Sequence, residues 1–219
     1  MTHKTKSMNA QPATKRAQRE ASVENLLGAA LSLFVRQGYR HTSVEAIADT
    51  VGLTKGSVFF YFGAKAQLLD RLLDRVEEIV VDEMEARVAE AGEDARSRIV
   101  AFVHGQAMLG VSRWEYVLLL ILMSLEFRGA GDAIEARIRS IYDRLYAAVE
   151  AIIEDGKTRG AFRTDINSRE QAAIVMAGHD GTFLQWHRRG RGLDGEELVR
   201  ALRTTTLAGL LPQAGQPAP

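Results

Sequence analysis

The sequence has no cysteine and few prolines, and each shortage excludes a class of structure. Without cysteine among its 219 residues, the chain has no disulfides, thiolate metal sites or cysteine nucleophiles. Its four prolines are Pro12, near the start, and Pro212, Pro217 and Pro219, near the end. The roughly 200 residues between Pro12 and Pro212 lack the residue that interrupts helices most strongly. Apolar residues recur there at helical spacing, which predicts an all-α fold.

Long apolar runs are missing as well. No segment approaches the roughly 20 apolar residues that span a bilayer, and the most apolar one, 116–125, lies between Glu115 and Glu126. We therefore expect a buried helix there and no membrane partner. The N-terminal segment is polar and basic without an apolar core, so we expect no secretory signal and a cytoplasmic location.

Charge is balanced overall but unevenly distributed. The chain has 28 Lys and Arg and 28 Asp and Glu. Residues 1–69 contain nine basic and four acidic side chains, and the remainder has a corresponding excess of acids. A basic N-terminal part on an acidic body favours contact between that part and a nucleic acid.

Residue patterns typical of catalysis are scarce. None of the histidines follows a metal-ligand spacing such as HExxH; they are His3, His41, His104, His179 and His187. Gly156–Thr158 has the sequence that ends a phosphate-binding loop, but Ala151 stands where the upstream glycine belongs, and no strand is predicted before it. We therefore expect neither an enzyme nor a bound cofactor or metal.

Capping side chains and glycines divide the chain into about nine helices. Capping boxes begin at Thr42, Ser112 and Ser168, and Asp132 and Asp194 begin acidic equivalents. Glycines that follow periodic segments, Gly110 and Gly156 among them, predict helix ends. The predicted helices span 16–37, 43–51, 54–62, 64–91, 94–109, 113–127, 133–155, 168–189 and 195–211. Residues 1–14, a basic tail, and residues 212–219 are predicted to be disordered.

The first three helices are short and closely joined, unlike those that follow. The second places Val44, Ile47, Ala48 and Val51 on one face, and Gly52 then allows a tight turn. A short helix, a glycine turn and a second short helix are typical of the helix-turn-helix. We therefore predict a DNA-binding domain over residues 15–63, followed over residues 64–211 by a larger helical domain.

Residues 23–69 carry a motif that identifies this pattern further. The segment has AALSLF at 29–34, TSVEAIAD at 42–49 and VGLTKGSVFFYF at 51–62, followed by Lys65 and Leu68-Leu69. In these residues the chain resembles the TetR family of bacterial regulators. The resemblance implies a homodimer with two DNA-binding heads and two bodies that bind a small molecule and hold the dimer together.

The resemblance places the DNA contacts on the second and third helices and at the start of the fourth. The expected DNA-binding residues are Thr42, Ser43, Thr54, Lys55, Gly56, Ser57, Phe59, Phe60, Tyr61 and Lys65. Lys55 and Lys65 lie at helix starts, where a cation and backbone N–H groups both favour phosphate; the alternative is two solvated lysines. Val58 and Phe62 are instead expected to pack on Ile47 and Phe34. Lys4 and Lys6 would reach the DNA backbone.

The resemblance also places an effector cavity among the later helices. Aromatic and methionine side chains with few polar groups favour a small apolar or aromatic effector. The expected effector-binding residues are Phe102, Gln106, Trp114, Leu120, Met123, Phe127, Tyr142, Tyr146, Met176, His179 and Phe183. For most of them the alternative is ordinary core packing, and for His179 it is a core histidine with a polar partner.

The last two predicted helices have small or branched residues at close spacing. Such residues let helices approach each other, and in the TetR family these two helices form the dimer interface. The expected interface residues are Ala173, Ala177, Gly181, Leu198, Leu202, Thr205 and Gly209. The alternative is packing within one chain.

These features together predict a ligand-responsive transcriptional regulator that acts as a homodimer. We expect a repressor that binds an inverted-repeat operator and is released when an effector favours a different separation of the two heads. The alternative is an architectural or protein-partnered DNA-binding factor without a small effector, which a body without a cavity would favour.

Overall fold

All regular structure in the described part of the chain is helical. The computed structural model describes residues 15–190 and 192–212; the expectations for residues 1–14 and 213–219, and for Lys4 and Lys6, lie outside them. The helices are α1 (Lys15–Gln37), α2 (Val44–Thr50), α3 (Lys55–Phe62), α4 (Lys65–Val76), α5 (Glu83–Glu90), α6 (Ala95–Ser112), α7 (Trp114–Glu126), α8 (Ala133–Thr158), α9 (Ser168–Arg188) and α10 (Gly195–Leu210).

The predicted helix 64–91 is continuous but not uniform. A π-helical segment, Glu77–Asp82, joins α4 to α5, and the backbone stays helical at Val76 and Glu83 on either side of it. If α4, this segment and α5 count as one helix, the chain has nine in its described ranges, so the predicted fold class is confirmed. The sequence pattern did not indicate the π-helical turn.

Two of the five predicted helix caps are confirmed. Asp132 accepts a hydrogen bond from the backbone N–H of Glu135 at 2.9 Å. Asp194 accepts from the N–H groups of Glu196 and Glu197. These carboxylates occupy the position where a helix leaves its first N–H groups without backbone partners.

The other three predicted caps are wrong. Ser43, not Thr42, caps α2, and Asn167, not Ser168, caps α9. Thr42 and Ser168 are buried, and their hydroxyls bond to other partners, so the exposed preceding or following residue takes the cap. Ser112 ends α6, where its hydroxyl donates to the carbonyl of Met108, and α7 has no side-chain cap.

Gly110 and Gly156 do not end helices as predicted. Both lie inside helices, α6 and α8 respectively. A Cβ at Gly110 would lie 3.1 Å from the ring of Phe183, and one at Gly156 would overlap the ring of Phe162. Glycine is needed at these positions because an aromatic ring packs directly on the helix backbone, a tertiary contact that local spacing does not reveal.

The first three helices form a small head whose buried side chains belong to the same apolar core as those of the later helices. Phe34, Ile47 and Val58 are fully buried, and Phe62 is nearly so. Val58 and Phe62 therefore lie in the core, as predicted. One face of α3 packs on α2 and α4, and its other face is exposed to solvent.

The later helices form the body, and α4 with its π-helical extension connects it to the head. Arg137 of α8 contacts Asp70, Asp74 and Glu77 at 2.7–3.1 Å. Arg144, two turns later, contacts Glu77 and two further acids. These ion pairs fix the acidic face of the connecting helix against α8.

No single helix in the described ranges is long and apolar enough to cross a membrane. Only α6 and α7 taken together are long and apolar enough, and the chain bends by 101° between them.

Candidate nucleic-acid interface and internal cavity

The solvent side of the head is formed by the starts of α2 and α3 and by the outer face of α3. Ser43 and Thr54 cap the two helices through their hydroxyls. Six of the predicted DNA-binding residues are exposed there, and they are Ser43, Thr54, Lys55, Gly56, Phe59 and Phe60. Phe60 is 75% exposed, which is unusual for a large apolar side chain and favours an external partner.

Tyr61 and Ser57 lie at the edge of this surface and are half-buried. The Tyr61 ring packs edge-on against Phe60, with centroids 5.1 Å apart. The Ser57 hydroxyl lies 3.1 Å from that of Thr54, and its backbone N–H donates to the same oxygen. Both side chains are therefore positioned by neighbours within the head.

Thr42 is not part of the exposed surface. Its side chain is 1% exposed, and its hydroxyl donates to the carbonyl of Gly38 and accepts from Gln37. The expectation that this side chain contacts DNA is therefore wrong. Its hydroxyl holds the turn between α1 and α2, and Ser43 next to it is the exposed residue.

Lys65 also binds within the protein. Its ammonium donates to the carbonyls of Tyr39 and Thr42, both at 2.8 Å, and lies 4.1 Å from the centre of the Tyr39 ring. Burial lowers the pKa of Lys65 below its usual value. Because two of its three donors are used by the α1–α2 turn, Lys65 joins the head to α4, and its contact with phosphate stays a prediction.

Lys55 has an acidic neighbour on the exposed surface. Its ammonium lies 2.5 Å from a carboxylate oxygen of Glu45 and 5.7 Å from the centre of the Phe59 ring. The hydrogen bond from Lys55 lowers the pKa of Glu45. The ammonium is held at the start of α3, and a phosphate there would compete with Glu45 for it.

Glu126, at the end of α7, connects the body to the head. Its two carboxylate oxygens accept from the backbone N–H groups of Tyr39 and Arg40, at 3.0 and 2.7 Å. The Arg40 guanidinium donates in return to the backbone carbonyl of Glu126. Tyr39 packs between Phe34 and Phe127. Local sequence patterns do not reveal this junction, because its partners are more than 80 residues apart.

The body contains a cavity of about 860 Å³ between α6, α9 and α10, which opens to solvent beside the exposed Met108 and Val111. A cavity of this size matches sites for drug-sized molecules, which are about 300–1,000 Å³. Three predicted effector-binding residues, Gln106, His179 and Phe183, line it. The lining also includes Thr182, Trp186, Val199 and Arg203, which were not predicted. The apolar face of α10 could have indicated that this helix lines the cavity, but that face was predicted to form the dimer interface.

The other eight predicted effector-binding residues do not line this cavity, so their contact with an effector stays a prediction. Four of them are buried in the core, namely Phe102, Leu120, Met123 and Met176. Phe127 belongs to the junction with the head, and Trp114 stacks on His187. Tyr142 and Tyr146 pack against each other, and burial raises the pKa of each.

Two buried nitrogen atoms in the cavity wall have no hydrogen-bond partner. They are Nε2 of Gln106 and Nε2 of His179. The other ring nitrogen of His179, Nδ1, lies 3.1 Å from a carboxylate oxygen of Asp180. In folded proteins more than nine in ten buried polar groups are hydrogen-bonded, so these nitrogens are exceptions. Both are sealed within the wall and do not face the open space, and Nε of Arg137, outside the cavity, is unpaired as well.

The outer faces of α9 and α10 expose small residues. Five of the seven predicted interface residues are exposed, namely Ala173, Ala177, Gly181, Thr205 and Gly209. Leu198 and Leu202 are half-buried and line the cavity; a Cβ at Gly178 would lie 3.0 Å from Leu202. These two leucines therefore pack within the chain, and their part in an interface stays a prediction.

Among residues 15–190 and 192–212, no cluster of three or more histidine or acidic side chains is arranged to hold a metal ion.

Comparison with known protein families assigns both parts of the chain. Residues 26–72 match the family model described as "Bacterial regulatory proteins, tetR family". Residues 72–206, well over half of the chain, match the model described as "YsiA-like protein, C-terminal region". The chain belongs to the TetR family. TetR-family proteins are DNA-binding transcriptional regulators and not enzymes, and this chain is one of them.

Individual proteins are similar to this one over most of the chain. The crystal structure of the MbdR regulator from Azoarcus sp. CIB is 46% identical, with a TM-score of 0.79, and the match covers 87% of this chain and 100% of that one. The transcriptional repressor KstR2 of Rhodococcus jostii is 23% identical over 93% of this chain and 98% of its own. The nucleoid occlusion factor SlmA of Alteromonas mediterranea is 25% identical over 82% and 89%.

Proposed function

We propose that this TetR-family regulator is a homodimeric repressor that leaves an inverted-repeat operator when a small, largely apolar molecule fills the cavity of its body. The observation that carries the proposal is the combination, in one chain, of an exposed α3 surface and a cavity of about 860 Å³ in the body. The similarity to the repressor KstR2 supports the direction of regulation. We place its action in the cytoplasm, where bacterial DNA lies.

The exposed face of α3 is the proposed recognition surface. The helix has only eight residues, and Gly56 near its start leaves room for close approach to base edges. Lys55 supplies a cation for phosphate, while Phe59 and Phe60 offer apolar surface for thymine methyl groups. Two such helices, one in each protomer, would enter successive major grooves about 34–36 Å apart.

The proposed dimer interface is the exposed face of α9 and α10. Within α10, which the structure describes in full, only Leu210 is buried, so most of its apolar surface lacks a complete partner within the chain. On α9, Ile174 is 61% exposed between the exposed Ala173 and Ala177. No atom lies within 4 Å of a Cβ at Gly181, which leaves room for a second copy.

An effector in the cavity would act on DNA binding through the packed helices. The cavity lies against α6, and α6 continues through a sharp bend into α7, whose last residue, Glu126, holds the α1–α2 turn. A ligand shifts the equilibrium only if it binds the two head separations with different affinity. The hydrogen bonds from Glu126 to the α1–α2 turn would transmit a shift of α6 and α7 to the head.

The similarity to SlmA, a nucleoid occlusion factor, supports one alternative, an architectural or protein-partnered DNA-binding factor without a small effector. That function needs no ligand in the body. The cavity favours the ligand-responsive function, because its volume of about 860 Å³ suits a small molecule and a body that serves only as a scaffold needs no such space.

Substitution of Gly181 by glutamate tests the dimer and the operator together. The open space at Gly181 lets the monomer accept the side chain, whereas a close helix interface would bury an unpaired charge. We expect Gly181→Glu to sediment as a monomer. Its affinity for a duplex selected by the wild-type protein from a random pool should fall about 100-fold or more, because the second half-site no longer contributes.

The matched control is Gly28→Glu, since Gly28 is an exposed glycine of α1 with equally open surroundings. This variant should stay dimeric. A dimeric Gly181→Glu would place the interface elsewhere, and selected duplexes without inverted symmetry would contradict the proposed operator.

A further inference from the structure

The helix proposed to recognise DNA, α3, has an unusual composition. Its sequence over Lys55–Phe62 is KGSVFFYF, with no arginine, asparagine, glutamine or acidic residue. Those are the side chains that distinguish guanine, adenine and cytosine by hydrogen bonds in the major groove. The helix therefore has few means of recognising a base by its hydrogen-bonding edge. This inference rests on the proposed function, in which α3 enters the major groove.

The polar side chains that α3 does have are engaged within the head. Lys55, the one cation of the helix, lies 2.5 Å from a carboxylate oxygen of Glu45 on α2. The hydroxyl of Ser57 lies 3.1 Å from that of Thr54, and Tyr61 is half-buried. A hydroxyl both donates and accepts, so it bonds to more than one kind of base. These side chains would therefore add affinity for DNA but would select a base poorly.

Phe60 is the side chain that α3 exposes most. It is 75% exposed, compared with 44% for Phe59. The ring of Tyr61 packs edge-on against it, with centroids 5.1 Å apart, and aromatic pairs in this arrangement stabilise each other. The contact with Tyr61 supports the ring of Phe60 on the outside of the helix. An apolar surface in a defined position is therefore available to a duplex.

The apolar group that a base exposes in the major groove is the C5 methyl group of thymine, and phenylalanine contacts it. We propose that Phe60 recognises a pyrimidine by its C5 methyl group and not by its hydrogen-bonding edge. Recognition of this kind does not distinguish thymine from 5-methylcytosine, because both bases carry the same group at C5. It disfavours cytosine and deoxyuridine, because both lack that group.

The first experiment removes the thymine methyl groups one position at a time. A duplex selected by the wild-type protein from a random pool is synthesised with deoxyuridine in place of each thymine in turn, in both half-sites, and titrated by fluorescence anisotropy. Loss of one buried methyl group should weaken binding about fivefold per half-site, or about 25-fold per operator. We expect this loss at one or two thymine positions in each half-site. A scan without a sensitive thymine would overturn the proposal.

A second set of duplexes separates the methyl group from the rest of the base. The sensitive position now carries cytosine or 5-methylcytosine, each paired with guanine. The 5-methylcytosine operator should bind within about threefold of the thymine operator, and the cytosine operator should be as weak as the deoxyuridine operator. A methylated operator as weak as the unmethylated one would overturn the proposal, because the hydrogen-bonding edge would then determine recognition.

Phe60→Ala tests whether this side chain makes the methyl contact. Because Phe60 is exposed, the variant should fold normally. Its affinities for the thymine and deoxyuridine operators should lie within about twofold of each other. The matched control is Met108→Ala, which removes an apolar side chain that is 58% exposed in the body and should keep the full thymine preference. A thymine preference that survives Phe60→Ala would overturn the assignment to Phe60.

The selection of duplexes separates this inference from the proposed function. If the selected duplexes lack inverted symmetry, or the wild-type protein sediments as a monomer, the proposed function is wrong. The thymine scan applies to any selected duplex, so it tests Phe60 in that case too. If a symmetrical operator is found and its thymines are insensitive, only the recognition of the methyl group by Phe60 is wrong.

Discussion

The four most deeply buried polar residues of the described chain fall into two contrasting pairs. They are Thr42, Ser168, Gln106 and His179. Thr42, at the α1–α2 turn, both donates and accepts. Ser168, at the start of α9, donates to Glu154 and accepts from Lys157. Gln106 and His179 instead each leave a nitrogen unpaired.

The two pairs differ in whether all their buried polar atoms have hydrogen-bond partners. A buried group with all its partners stabilises one conformation, so the turn at Thr42 and the start of α9 are fixed points of the fold. A buried group without a partner lowers the free energy of unfolding. The hydrogen bonds of the head and its junction therefore hold a fixed geometry, whereas Gln106 and His179 are buried without a full set of partners.

Glu126→Gln is expected to have the largest effect on stability, because it weakens the fully paired contacts between the body and the head. The amide has one oxygen for two backbone N–H groups, and its NH2 would face the second donor. Hydrogen bonds to charged groups contribute about 1.5–3 kcal/mol, so the free energy of unfolding should fall by about that amount in urea denaturation. The head should also be less firmly coupled to the body.

The control for Glu126→Gln is Glu90→Gln, an exposed glutamate of α5, which should change stability by less than about 0.5 kcal/mol. Equal stability of the two variants would show that the Glu126 contacts contribute nothing.

Thr42→Val is expected to have the next largest effect. Valine keeps the shape but leaves the carbonyl of Gly38 without its hydroxyl donor. The free energy of unfolding should fall by about 1–2 kcal/mol. Gln106→Met, which replaces an unpaired buried amide by an apolar side chain of similar size, should instead leave it unchanged or raise it. Thr50→Val, at an exposed hydroxyl of α2, is the matched control. A drop for Gln106→Met as large as that for Thr42→Val would remove the distinction between paired and unpaired groups.

Glu45→Gln tests a paired group at the protein surface, and of these substitutions it is expected to have the smallest effect. It releases the Lys55 ammonium from its carboxylate partner, so the ammonium becomes free for phosphate. DNA affinity should rise about two- to fivefold, with a steeper dependence on salt.

Asp49→Asn removes the same charge from an exposed position on α2 and has no such contact with Lys55. Fluorescence anisotropy titrations of the two variants therefore separate the release of Lys55 from the general loss of a negative charge. Identical gains in affinity would show that the pair with Glu45 does not restrain Lys55.

Local sequence patterns predicted the helices and two of the five caps correctly, and failed where a tertiary contact engages the same residue. The absence of proline, the apolar spacing and the caps at Asp132 and Asp194 all concern neighbours three or four residues apart. The core positions Val58 and Phe62 followed from the same spacing. The family motif at 42–62 added the assignment to DNA-binding regulators, because it is a contiguous run of residues that can be read directly from the sequence.

The cavity shows where such patterns stop. Gln106, His179 and Phe183 were expected there and line it, but eight other residues at equally suitable spacing do not. Helical periodicity shows that a side chain points away from solvent. It does not show whether that side chain meets another side chain or an open space, since this depends on how neighbouring helices cross.

The sequence by itself determined the helices, the head and the class of protein, because each depends on short-range geometry or on a contiguous motif. Only the tertiary structure decided which polar groups are paired. Thr42 became a structural residue through Gly38 and Gln37, Lys65 through the carbonyls of the same turn, and Glu126 through a turn more than 80 residues away. Whether a buried polar atom has a partner depends on atoms brought together by the whole fold, and no local spacing encodes that.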